Sequence, residues 1–116
     1  MTTDRLAVFD LGKTNAKLLI ISAATGEIVA QERTAPRQQV VEGIRVLDQE
    51  ALWQWLEPAL ERAVDDHNVS GLMVSTHGCC FALIEGERLA AGIIDYEQEV
   101  PEAVDRAFRA EVPPFA

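Results

Sequence analysis

The sequence predicts a mixed α/β sheet, and three observations carry it. Two apolar runs, Leu6 to Phe9 and Leu18 to Ile21, have the length and the β-branched or aromatic content of buried strands, and the polar stretch Asp10-Leu11-Gly12-Lys13-Thr14-Asn15 joins them. A more polar run, Glu27 to Thr34, follows a Gly26 turn, so three short-linked strands read as an antiparallel meander. A helical period and then a further apolar run, Val69 to Ser75, complete the pattern of a crossover into a parallel strand.

The first strand spans Leu6 to Asp10 and the second Ala16 to Ser22. In the second, Leu18 and Ile20 face one way and Lys17, Leu19 and Ile21 the other, which predicts cover on both faces. The third strand carries more charge and suits a sheet edge. Ala35-Pro36 ends it, and Arg37 to Leu47, without a clear period, reads as a long loop with at most a short extended piece.

Asp48 is placed as an N-cap, with Glu50 in the first turn and Leu52, Trp55, Leu56, Ala59, Leu60, Ala63 and Val64 on one helical stripe to about Asp66. Pro58 removes one backbone donor inside that helix. Trp53 lies roughly 200° from Trp55 around the helix and is the more exposed of the two. After Val69 to Ser75 comes the small-residue turn Thr76-His77-Gly78-Cys79-Cys80, a strand Phe81 to Ile84, a hairpin turn at Glu85-Gly86-Glu87, and Arg88 to Ile94 leading to Asp95-Tyr96-Glu97. Pro101 suits the first position of a last helix, about Glu102 to Ala110. This order is the start of a ribonuclease-H-like layer.

At 116 residues the chain is one domain's worth, and 48% apolar with 25% charged residues excludes a disordered tail. A net charge of -9 repels phosphodiester backbones and anionic lipid, so neither nucleic acid nor membrane is an expected partner. The start, Met1-Thr2-Thr3-Asp4-Arg5, lacks the apolar region of a signal peptide, and no apolar run approaches spanning length. Cys79 and Cys80 are adjacent, with Cα atoms about 3.8 Å apart, too close for an ordinary disulfide. Free thiols in a cytoplasmic protein are the expectation.

Gly12-Lys13-Thr14 matches the end of a phosphate-loop signature, but the first glycine of that signature would fall at Ala7, inside a strand. A phosphate loop must also open into a helix, and Leu18-Leu19-Ile20-Ile21 reads as strand. A hairpin turn of this composition can hold phosphate by another route. Backbone N–H groups around Gly12 approach the anion, Thr14 and Asn15 donate, Lys13 or Lys17 neutralises charge, and Asp10 can hold Mg²⁺ through water. The plain structural alternative is that Asp10 and Asn15 only satisfy the turn backbone. His77 likewise has a structural reading, and a zinc site with Cys79 and Cys80 is disfavoured because zinc needs about four convergent ligands.

Phe9-Asp10-Leu11-Gly12-Lys13-Thr14-Asn15-Ala16-Lys17-Leu18-Leu19, the Gly26 turn, Val74-Ser75-Thr76-His77-Gly78, Gly86 and Ile94-Asp95-Tyr96-Glu97 together resemble the N-terminal part of the FGGY carbohydrate kinases, most nearly the fuculokinase and rhamnulokinase branch. The resemblance runs in order across nearly the whole chain. It implies an incomplete domain of the actin-like ATPase superfamily within a two-domain, ATP-dependent kinase whose cleft binds sugar and nucleotide. It would set Asp10 near Mg²⁺ and the phosphates, Gly12, Lys13, Thr14, Asn15 and Lys17 on the nucleotide side, and His77, Gly78, Asp95, Tyr96 and Glu97 on the sugar. Many relatives have threonine where this chain has Lys13.

The resemblance also places the general base and the adenine site downstream, so residues 1–116 alone are expected to be inactive. A truncated sheet with an open edge is expected to self-associate, which sedimentation would test. The competing reading is a non-catalytic sugar- or nucleotide-sensing or interaction module of the same superfamily. Which sugar is involved is not written in one sequence.

Overall fold

The computed structural model describes residues 4–114; Met1-Thr2-Thr3 and Phe115-Ala116 lie outside the described residues. Strand β1 (Arg5–Leu11) pairs antiparallel with β2 (Ala16–Ser22), and β2 pairs antiparallel with β3 (Ile28–Thr34). The predicted meander is therefore present, within a residue at each end. A P-loop is ruled out by the strand that begins at Ala16.

Residues 37–47 correct the expected loop. They form a hairpin of β4 (Gln38–Val41) and β5 (Ile44–Leu47), turned at Glu42 and Gly43, which both take positive φ, 51° and 80°. A two-residue hairpin turn of this hand needs positive φ at both positions, and Gly43 adopts it without steric cost. The strands are mostly exposed, with Val46 alone buried, so no alternating pattern marks them in the sequence.

Helix α1 (Gln49–His67) begins where Asp48 Oδ1 accepts the Ala51 N–H at 3.0 Å. That bond holds the Asp48 carboxyl below its ordinary range. The helix ends at Asn68, in the left-handed region, whose N–H donates to the Val64 carbonyl at 3.1 Å. Leu56, Ala59 and Ala63 press onto Ala7, Phe9, Ala16, Leu18 and Ile20, and Trp55 tilts against Phe9 with ring centroids 6.3 Å apart. Trp53, 55% exposed, stands outside the stripe as predicted.

Strand β6 (Val69–Thr76) runs parallel to β1, giving the sheet order β3-β2-β1-β6. Helix α1 covers one face only. Leu19 and Ile21 on the other face are half-buried, and Leu72, Met73 and Val74 on the edge strand are exposed, so the expected cover on both sides is absent among the described residues. The two runs expected beyond His77 shrink to β7 (Ile84–Glu85) and β8 (Arg88–Leu89).

Residues 93–95 return to the hairpin instead. The Leu47 N–H donates to the Ile93 carbonyl at 2.9 Å and the Asp95 N–H to the Arg45 carbonyl at 3.0 Å, around a bridge between Val46 and Ile94. Gly92 makes this approach possible, because a Cβ there would lie 2.8 Å from Val46 Cγ1. Gly92→Ala is expected to destabilise the chain by about 1–3 kcal/mol through overpacking, read as a lower urea midpoint. An unchanged midpoint would show that Val46 moves aside freely.

Helix α2 (Glu102–Glu111) has Pro101 at its cap position, not inside its first turn, and buries no residue. The radius of gyration is 18.6 Å, against about 13 Å for a compact domain of this length. Much of the chain's second half therefore lies outside the main core.

Candidate active site

The turn after β1 closes tightly: the Gly12 N–H donates to the Asn15 carbonyl at 2.9 Å. Strand register sets Asp10 opposite Lys17 on β2 and Ser75 on β6, at the end of the sheet where this turn lies. The end of β6 is fastened to the same place. The Leu11 carbonyl accepts both the His77 backbone N–H at 3.2 Å and the ring Nδ1–H at 3.1 Å. Since a carbonyl only accepts, the neutral ring carries its proton on Nδ1, leaving Nε2 to take the Cys80 thiol, 3.6 Å away.

The third contributor is the 95–97 turn, seated by β5. Asp95 Oδ1 accepts the Glu97 N–H at 2.9 Å and the Lys13 ammonium at 3.1 Å. Lys13 also pairs with Glu97 Oε1 at 2.7 Å, and its Nζ stands 4.7 Å from the Tyr96 ring centroid. Tyr96 meets His77 edge to face, with centroids 5.7 Å apart. The Asp95 carboxyl is depressed, first by the Glu97 N–H and then by Lys13, against an opposing effect of burial. Burial by itself lowers the Lys13 ammonium, but hydrogen bonds to Glu97 and Asp95 outweigh it and leave the group raised.

These three segments line one cavity of about 200 Å³, with Gly12, Lys13, His77, Cys80, Asp95 and Tyr96 in its wall. That is small beside the roughly 300–1,000 Å³ of drug-sized pockets. Two predicted groups thus merge, since Lys13 of the first turn meets Asp95, Tyr96 and Glu97. Asp10, Thr14, Asn15, Lys17, Gly78 and Glu97 are not in the cavity wall. Thr14 and Asn15 are exposed in the turn beside it. Gln38 and Leu47 also line the cavity, and the sequence does not mark them, because their hairpin lacks a clear period. Ile44 and Val46, two apolar residues flanking Arg45 before the helix cap, are the available signal.

Among the described residues no group of three or more His, Cys, Asp or Glu side chains could hold a metal ion. A lone carboxylate such as Asp10, half-buried beside an open turn, fits Mg²⁺ that keeps most of its waters and takes other ligands from phosphate. It would not fit zinc.

A meander, a crossover helix and a parallel fourth strand, with polar turns gathered at one end of the sheet, make up a mixed α/β fold that solved carbohydrate kinases share. Carbohydrate kinases are among the solved structures that match. One from Novosphingobium aromaticivorans superposes with a TM-score of 0.89 at 33% identity, over 99% of this chain and 24% of its own. Plasmodium falciparum glycerol kinase, solved with ADP, gives 0.64 at 12% identity over 96% of this chain and 24% of its own. Gluconate kinase from Lactobacillus acidophilus gives 0.57 at 16% identity, over 78% of this chain and 19% of its own. The last two share the fold alone, and the chain spans about a quarter or less of each of these proteins. No protein-family model and no curated protein matches it.

Proposed function

We propose that residues 1–116 are the N-terminal part of an FGGY-type, ATP-dependent carbohydrate kinase of the cytoplasm. The observation that carries this reading is the single cavity in which the Gly12-Lys13 turn, His77 and the Asp95-Tyr96 turn meet, within a chain 33% identical to a carbohydrate kinase. In it the turn from Gly12 to Asn15 faces nucleotide phosphates, and Asp10 would hold Mg²⁺ through water, where the ion would neutralise phosphate charge. Asp95 and Tyr96, beside His77, meet the sugar.

The reaction joins a sugar hydroxyl oxygen to the γ-phosphorus and breaks the bond to the β-phosphate oxygen. The hydroxyl proton goes to a base that the family supplies downstream, so this segment positions substrates and does not remove the proton. Two features of the chain serve positioning. The Leu11 carbonyl ties the nucleotide-side turn to His77, and the Lys13 ion pairs tie it to Asp95 and Glu97.

A coupled ADP-release screen of the full-length protein across ketoses and polyols tests the proposal. Sugar-dependent ADP release is expected, and none from residues 1–116 alone. If residues 1–116 bind sugar and ATP-Mg²⁺ by calorimetry while the full-length protein releases no ADP, the sensing module is the better reading.

A further inference from the structure

The phosphoryl transfer proposed above leaves one reactive group of the cavity wall unused. Cys80 is a free thiol, half-buried, and it lines the cavity beside His77. Its Sγ lies 3.6 Å from His77 Nε2. That nitrogen is open to a proton because the other one is committed: Nδ1–H donates to the Leu11 carbonyl at 3.1 Å. A thiol against a bare imidazole nitrogen, with the far nitrogen oriented by a third group, is the arrangement that activates a cysteine as a nucleophile.

The neighbouring cysteine supplies an internal contrast. Cys79 sits in the left-handed region at φ 71°, is exposed, and is not in the cavity wall. Access to solvent alone would make Cys79 the first to react, whereas a base at hand favours Cys80. The space beside Cys80 is limited as well. A group joined to its sulfur would have to share a cavity of about 200 Å³ with the side chains of Lys13, Asp95 and Tyr96.

We propose that Cys80 is a thiol-modification site: with His77 as its base it exchanges with low-molecular-weight disulfides, and the adduct closes the cavity to ligand. The thiol proton passes to His77 Nε2 as Sγ attacks one sulfur of the disulfide. A new S–S bond forms to Sγ while the bond within the small disulfide breaks, and the departing sulfur takes the proton from the imidazolium and leaves as a thiol. Cys80 is oxidised to a mixed disulfide and the small disulfide is reduced, so no further reactant is needed. The thiol chemistry stands on its own; its effect on activity rests on the sugar-kinase reading.

The test uses the full-length protein and hydroxyethyl disulfide, with adducts located by peptide mass spectrometry. Cys80 is expected to form the mixed disulfide at least about ten-fold faster than Cys79, despite its lesser exposure. His77→Gln is expected to slow Cys80 about ten-fold or more and to leave Cys79 within about two-fold. The sign separates two roles, because a histidine that only packs the turn would, when lost, uncover Cys80 and speed the reaction. The adduct is expected to abolish sugar-dependent ADP release, with recovery on adding dithiothreitol. Cys80→Ala treated with the disulfide is expected to match untreated Cys80→Ala, and the labelling rates need no Cys80 variant should that one fail to fold.

Equal or faster reaction at Cys79 overturns the proposal, as does a Cys80 rate that His77→Gln leaves unchanged or raises. A Cys80 adduct with ADP release intact, or a Cys80→Ala protein that the disulfide still inactivates, overturns it too. If the full-length protein releases no ADP with any sugar, the kinase reading falls, and the two labelling rates alone then decide whether Cys80 is the reactive thiol.

Discussion

Leu18→Ala will destabilise the chain by about 2–5 kcal/mol, the range for removing a buried leucine from a packed core. Leu18 is 1% exposed, sits midway along β2 and belongs to the cluster formed with Phe9, Ile20, Leu56 and Ala59. A single helix covers this core, so few neighbours can shift into the space left behind. Stability for small proteins is about 5–15 kcal/mol, and a loss at the upper end of the leucine range would leave much of the chain unfolded. Urea unfolding followed by tryptophan fluorescence reads the effect, because Trp55 packs on Phe9 beside the site. A shift below about 1 kcal/mol would mean the core does not have the packing described.

The second large effect is on sugar recognition. Asp95→Ala removes the acceptor for the Glu97 N–H and the partner of Lys13 together. The proposed function then requires kcat/KM for the sugar to fall by about two orders of magnitude, as it does when a site built around a hydrogen bond loses it. Full-length enzyme with near-normal sugar kinetics after Asp95→Ala would remove Asp95 from the site.

The pH dependence of the Lys13–Asp95 contact follows from its two shifts. The Asp95 carboxyl is held below its ordinary 3.8, so its contribution is complete above 3.8 and is lost only as pH falls through the lower folded value. The Lys13 ammonium is raised above 10.5, so its contribution is complete below 10.5 and is lost as pH rises through the higher folded value. Sugar affinity governed by this contact is therefore flat from about pH 5 to about pH 9, a window calorimetry can scan.

The meander, α1 and the parallel β6 were legible because burial imposes a period on sequence, and Asp48 and Asn68 at the helix ends carry their own capping chemistry. The β4–β5 hairpin was not, since its side chains face solvent and its turn is Glu-Gly, a weaker signal than Asn-Gly. The site divided in the same way. His77, Asp95 and Tyr96 could be named as individual residues, but the Lys13–Asp95 contact joins positions 82 residues apart through a bridge to β5 that no local pattern records. Local sequence places Lys13 in its turn, and only the tertiary fold brings it to side chains from residues 95–97.

The double acceptor at the Leu11 carbonyl has a consequence for the motion of this end of the sheet. Two donors from one residue, the His77 amide and its ring Nδ1, fix both the position and the rotation of the imidazole relative to the end of β1. The ring cannot turn about its bonds without breaking the contact to Leu11, so Nε2 stays aimed at the Cys80 sulfur, 3.6 Å away. The ends of β1 and β6 are thereby coupled, and a displacement of one strand end carries the imidazole and the start of the 77–80 turn with it.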